Sequence, residues 1–345
     1  GLLFEAAGEG NPPVASAEGN EDYYKLTLYK AAKPDIVVLG SSRVLEMNSR
    51  FYSSSFLNLG RLLVNIDTAG DTLKTILDIH TPKLMLIGLD QYWFNPNWVS
   101  NEPSLKIAPV DPDNPAITSR LIGFVARENL WSDLAQSLFS SPGCHFGISA
   151  RHFLSGFAAD GSRYYGELLT AGEPPEDVKF RKTLRRMKTG DGRFTRAAEV
   201  SQERFERLRQ LDAQLTRAGV EHVFYFPPFA PSISAAMAED GGYGYVQKLD
   251  GMMREAKLPY VSLDGLKRAD CDFLDGFHVG DATDARILQH LAQEDARVRA
   301  VVNAGEVARV AAEGAVPLTY LTEDFKLPMR DFLQLGCTWP QAAIR

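Results

Sequence analysis

The sequence predicts an α/β fold: a five-stranded parallel sheet with helices on both faces, interrupted by a long insertion. Two observations lead there. Short apolar, β-branched runs at 35–39, 56–59, 84–89, 222–226 and 260–263 alternate with stretches of helical spacing, the pattern of strands joined by crossover helices. Polar, chemistry-bearing residues follow the first and last of these runs, and in parallel sheets sites form outside the carboxyl ends of strands.

The first run follows Lys33-Pro34 and stops at Gly40. After a weaker second run, apolar residues at Ile66, Leu73, Ile76, Leu77 and Ile79 predict a helix over 67–80, ended by Pro82. The third run ends at Asp90. From 96 to 195 the alternation is lost. Proline is frequent up to Pro115, a helix is expected over 119–139, and Gly, Ser and Tyr dominate through Tyr164-Tyr165-Gly166. This stretch reads as an insertion serving as a lid or a substrate or partner face.

Regularity returns with an amphipathic helix over 197–218, closed by Gly219. Pro227-Pro228 ends the fourth run and Pro231-Ser232 opens a helix. Further helices are expected over 245–256, 281–296 and 297–312. The expected organisation is a linker or N-terminal extension over 1–30, one α/β domain over 31–315, and an irregular tail over 316–345.

The chain has 345 residues, 45% hydrophobic and 23% charged, with a formal net charge of -7. That suits a large globular domain and argues against nucleic acid as a partner, which requires a positive face. The basic run Arg181-Lys182-Thr183-Leu184-Arg185-Arg186-Met187-Lys188 is the exception. It reads first as a solvated helix face, and otherwise as a docking patch for an anionic polymer or membrane surface. Three cysteines (Cys144, Cys271, Cys337) allow one disulfide in an oxidising compartment, with the pair left open. His80, His145, His152, His222 and His290 lack metal-ligand spacing, and neither a metal nor a cofactor is expected.

Ser41-Ser42-Arg43 follows the first strand, and Asp275-Gly276-Phe277-His278 occupies a loop after the last. A serine hydroxyl is a weak nucleophile. It needs an imidazole to take its proton and a carboxylate to hold that imidazole in one tautomer. Ser42, His278 and Asp275 supply these parts, with Ser41 the fallback nucleophile. Ser42 also suits a helix N-cap. Trp93, Phe94 and Trp98 read as core or lid packing rather than as a sugar-binding face.

Gly40-Ser41-Ser42 and Asp275-Gly276-Phe277-His278 resemble the first and last blocks of the SGNH (GDSL-like) hydrolase superfamily. The resemblance covers about 35–95 and 220–291. It implies a flavodoxin-like three-layer α/β/α sandwich in which Ser42 is nucleophile, His278 general base and Asp275 orienting carboxylate. Two blocks depart from the family pattern. The second retains Asn58-Leu59-Gly60 but carries Leu63 where the family has an oxyanion-binding glycine. The third reads Gly88-Leu89-Asp90-Gln91, with Asp90 in place of an asparagine donor. An ionised carboxylate only accepts, and so repels a developing oxyanion. Backbone N–H groups at Gly60 or Leu63, or side chains of Gln91, Asn95 or Arg43, are the candidate replacements, and Asp90 is a site candidate in its own right.

Within the superfamily, Gly40-Ser41-Ser42 with Gly88-Leu89-Asp90, the following Trp93-Phe94-Asn95 and the Phe226-Pro227-Pro228 stretch resemble most the membrane-anchored, cell-surface members, some of which work beside membrane-bound O-acyltransferases. The implied activity is a serine esterase or O-acyltransferase acting on acyl, chiefly acetyl, esters of a cell-surface carbohydrate polymer. The alternative is a catalytically impaired scaffold binding a glycan or a membrane O-acyltransferase partner. No run of about 18 apolar residues is present. The abrupt Gly-Leu-Leu-Phe opening and the linker-like stretch 5–20 lead to the expectation of an extracytoplasmic (periplasmic or cell-surface) protein whose N-terminal anchor lies outside this sequence.

Overall fold

The computed structural model describes residues 14–15, 21–100, 105, 126, 131, 145–146, 154–312 and 316–339. Its strands are β1 (Val14–Ala15), β2 (Ile36–Gly40), β3 (Phe56–Gly60), β4 (Leu84–Gly88), β5 (His145–Phe146), β6 (Ser155–Ala158), β7 (Arg163–Tyr165) and β8 (Glu221–Tyr225). The main sheet has four parallel strands in the order β3-β2-β4-β8. Every residue of β2, β3 and β4 is buried, because helices cover both faces of a parallel sheet. Glu21–Ala32, Ala69–Ile79 and Gln202–Arg217 pack on one another as one helical layer, and Asp281–Glu294 packs against Ala304–Ala312.

The fifth strand expected over 260–263 is reduced to a single parallel bridge, Tyr260 to Phe224. Phe224 N–H donates to Pro259 O at 2.8 Å and Val261 N–H to Phe224 O at 3.0 Å. Pro259 has no N–H to extend the ladder, and a turn follows in which Asp264 N–H donates to Ser262 Oγ.

Gly40, Gly60 and Gly88 stand in register across β2, β3 and β4 at the carboxyl edge of the sheet. A Cβ on Gly88 would lie 2.4 Å from Val44 Cγ1, and one on Gly60 2.9 Å from Leu45 Cδ2. This row of glycines leaves the space into which the turn carrying Ser42 folds back over the sheet.

Several expectations for the flanks are corrected. Within 1–30, expected as linker or extension, Glu21–Ala32 begins a helix that buries Tyr24, Leu26, Tyr29 and even Lys25. Three of its four buried positions are tyrosine or lysine, so apolar periodicity did not reveal it. Lys25 Nζ is enclosed and donates to Asn58 O at 3.1 Å, and burial drives its ammonium well below the usual lysine range. The single helix expected over 297–312 is two, Ala296–Arg299 and Ala304–Ala312, with the Asn303 side chain capping the second through Glu306 N–H. The tail is not wholly irregular: Thr319–Phe325 is helical, and a Cys271–Cys337 disulfide ties residue 337 to the turn before the His278 loop.

Of the helix expected over 119–139 only residues 126 and 131 are described, and both are helical. The rest of the insertion is stitched to the body. β1, β5, β6 and β7 form a second small sheet, and Asn58 N–H donates to Asp160 O at 2.7 Å while Arg163 N–H donates to Leu45 O at 2.9 Å. Gly161, at φ +77, passes so close that a Cβ would sit 2.3 Å from Asn58 O; only glycine fits there. Among the described residues no helix is long and apolar enough to cross a membrane.

Candidate active site

Ser42 opens a one-turn 3-10 helix, Ser42–Val44, directly after β2. Ser41, its N-cap, is buried and accepts from Arg43 N–H through its own Oγ, so the fallback nucleophile is occupied as a cap and Ser42 carries the free hydroxyl. The switch in strand order between β2 and β4 places this turn at the crevice where doubly wound sheets hold ligands.

His278 comes from the opposite end of the chain. Phe273 and Val279 pair across the base of its loop, and Asp275 organises the tip: Oδ1 accepts from the N–H groups of Phe277 at 2.9 Å and His278 at 2.8 Å. Asp275 Oδ2 lies 2.7 Å from His278 Nδ1, and His278 Nε2 lies 2.8 Å from Ser42 Oγ. Burial pushes the Asp275 carboxyl up, but the His278 ring and the hydrogen bonds from His278 and Phe277 outweigh it and hold it below the ordinary aspartate value. It therefore stays ionised and fixes the tautomer in which Nδ1 carries the proton and Nε2 is free to accept one. The His278 and Asp275 side chains are 18% and 25% exposed, so the array is open on one side.

The loop is braced from the insertion. Asp177 Oδ2 accepts from Gly276 N–H at 3.0 Å and from Thr183 Oγ1 at 2.7 Å. A Cβ on Gly276 would lie within 2.6 Å of the Thr183 side chain. Asp177 and Thr183 were not singled out in the sequence, which carries no local signal for a contact with a loop nearly a hundred residues away.

The oxyanion and substrate candidates are elsewhere engaged. Gly60 N–H donates to Asn58 Oδ1 at 2.8 Å, and Leu63 N–H points at Gly40 O at 3.3 Å. Asn95 is fully buried, donating to Thr195 O and accepting from Asn97 N–H. Gln91 donates to Pro227 O at 3.0 Å and accepts from Arg43 at 2.7 Å.

Arg43, a candidate oxyanion donor, and Asp90, the carboxylate that departs from the family pattern, form one buried ion pair at 3.1 Å. Arg43 is 2% exposed. Its Nε donates to Phe277 O at 2.9 Å, Nη1 to Asp90 and Gln91, and Nη2 to Pro227 O and Pro228 O. A guanidinium has five N–H donors, and all are used. The guanidinium also lies over the Phe229 ring at 4.5 Å. Tyr92 OH donates to the other Asp90 oxygen at 2.6 Å. Asp90 is thus an acceptor for an internal cation, and Arg43 ties the serine turn, the end of β4, the Pro227-Pro228 segment and the residue before His278 into one unit.

The remaining aromatic candidates pack. Trp93 and Phe94 are fully buried, Trp98 nearly so, and Tyr164 donates to Asp324 at 2.7 Å. His80, His222 and His290 bond Pro34 O, Asp212 and Ser262 O respectively.

A small cavity, which no triad residue lines, is bounded by Glu46, Asn48, Arg163, Tyr165, Asp281 and Tyr320 among others. Burial raises Glu46 and Asp284 well above the usual carboxyl range and pushes Asp281 up to about 6. The neighbouring Asp281 carboxyl adds to the rise at Glu46.

The triad geometry is that of a hydroxyl prepared for attack on an acyl carbon. Comparison of the chain with protein-family models, with curated proteins and with solved structures returns no match, so the functional reading rests on this geometry.

Proposed function

We propose that this protein is a serine esterase or O-acyltransferase of SGNH type acting on acyl esters of a cell-surface carbohydrate polymer. The observation that carries the proposal is the Asp275–His278–Ser42 relay, with contacts of 2.7 and 2.8 Å, assembled from the turn after β2 and a loop more than two hundred residues further along the chain. The strand order, with Tyr260 bridging at the position a fifth strand would occupy, supports the flavodoxin-like sandwich of that superfamily.

Ser42 Oγ attacks the ester carbonyl carbon as its proton passes to His278 Nε2. Asp275 steadies the imidazolium. The tetrahedral intermediate collapses when His278 returns that proton to the departing sugar oxygen, leaving acyl-Ser42. Water or an acceptor hydroxyl, deprotonated by His278, then takes the acyl group. Ser42 N–H begins the 3-10 turn and has no acceptor within it; it is the donor offered to the oxyanion. With the other candidates engaged, turnover of a simple ester is slow, since each missing donor costs about 10²–10³ in rate. The Cys271–Cys337 bridge supports an oxidising, extracytoplasmic setting.

The engagement of Gly60, Leu63, Gln91 and Asn95 favours the second reading, an impaired scaffold that binds a glycan or a membrane O-acyltransferase partner. Intact-mass analysis after incubation with an aryl acetate or a fluorophosphonate separates the two. A single adduct that disappears in Ser42→Ala is the enzyme's result. A chain that never gains mass leaves the scaffold.

A further inference from the structure

Helix Arg181–Thr189 carries five cations in eight residues on a chain of net charge -7. Two of the five are satisfied: Lys182 pairs with Glu176, and Arg186 lies 3.9 Å from Asp191 and over the Phe194 ring. Arg181, Arg185 and Lys188 are exposed, and among the described residues no carboxylate pairs with them. Their spacing, i, i+4 and i+7, puts them on one stripe about 10 Å long. The opposite face is anchored: Thr183 and Met187 are buried, and Thr183 abuts Gly276 of the triad loop. Beyond the helix, Arg193 lies 5.8 Å from the centre of the Phe277 ring, whose centre is 4.4 Å from that of the His278 ring, the two tilted at 40°. The helix that carries the stripe is thus packed against the triad loop by its other face, and Arg193 adds a cation beside that loop.

We infer that this stripe docks an anionic glycan, a polymer bearing carboxylate or phosphate groups at the spacing of successive sugar units. Guanidinium forks match such groups in a bidentate way. Three uncompensated cations in a row on an acidic protein complement a linear polyanion. A membrane surface fits less well. Its binding helices insert an apolar face, and here that face is buried in the body, leaving only Leu184 half exposed. This inference rests on the carbohydrate-ester reading for its connection to the triad, but docking is measured without turnover.

The test is affinity electrophoresis of the whole chain through gels containing polygalacturonate, poly(glycerol phosphate) or neutral dextran, with sedimentation against phosphatidylglycerol vesicles in parallel. Retardation by either polyanion and not by dextran is expected, weakening as salt rises. The triple variant Arg181→Gln/Arg185→Gln/Lys188→Gln loses at least tenfold in affinity. Should it fold poorly, Arg185→Glu alone is expected to lose severalfold. Ser42→Ala retains the parent's affinity, so a failed enzyme reading leaves this result standing. A triple variant that binds like the parent, or binding to vesicles without binding to either polyanion, overturns the inference.

Discussion

Replacing Arg43 with methionine removes the buried cation while keeping an unbranched apolar stem. Asp90, with no exposed surface, is left with the Tyr92 hydroxyl as partner, the carbonyls of Pro228 and Phe277 lose their Arg43 donor, and Pro227 O keeps only Gln91. Breaking a buried ion pair by removing one member costs about 3–5 kcal/mol. For a chain of 345 residues the unfolding entropy is roughly 0.7 kcal/mol/K, so the expected fall in Tm is about 4–7 °C. Arg43→Lys falls between, since an ammonium has three donors for five acceptors. Activity should suffer beyond stability, because Arg43 Nε holds the carbonyl of the residue preceding His278. The double variant Arg43→Met/Asp90→Asn separates the two effects. Neutralising the orphaned carboxylate restores part of the Tm and none of the lost kcat, read by differential scanning calorimetry and aryl acetate turnover. If Arg43→Met melts within a degree of the parent and turns over at the same rate, the assignment of Arg43 as the residue that positions this site is refuted.

Asp275→Asn should lower kcat by up to roughly 10⁴-fold while leaving KM nearly unchanged, because an amide no longer enforces the His278 tautomer; unaltered steady-state kinetics would remove Asp275 from the triad. Cys337→Ser, which opens the bridge to Cys271 across 66 residues of sequence, should cost about 2–4 kcal/mol in denaturant unfolding, and the parent in reductant should match the variant. The Asp281 carboxyl, pushed up from 3.8 to about 6 chiefly by burial, holds its proton in the folded chain after the unfolded chain has released it. Its contribution is therefore complete below pH 4 and lost as pH rises through 6. Asp281→Asn keeps an acceptor for Tyr320 N–H and should flatten the decline of Tm between pH 4 and 7; parallel curves for parent and variant would contradict this.

The three side chains that meet as Ser42, His278 and Asp275, the proposed nucleophile, base and orienting carboxylate, were legible in the sequence because each stands in a local context that chain pattern encodes. Ser42 follows an apolar run that ends in glycine, and Asp275 reaches His278 across three residues by local hydrogen bonds. The first four strands, and helices such as Pro231–Asp240 with proline at its start, follow from periodicity and punctuation in the same way. Helix Glu21–Ala32 escaped because three of its four buried positions are tyrosine or lysine, and the fifth strand shrank to a bridge because hydrogen-bond partners, not apolarity, limit an edge.

What only the tertiary structure decided is how long-range partners divide the donors. Asp90 read alone is a carboxylate where an oxyanion donor belongs, and Arg43 read alone is a spare cation beside a nucleophile. Folded, they neutralise each other out of water, where an unpaired charge would be untenable. The same holds for Cys271 with Cys337, and for the Gly60, Gln91 and Asn95 groups that bond inward. Such pairings join residues distant in the chain, and side-chain identity alone does not say which of several acceptors a donor will meet.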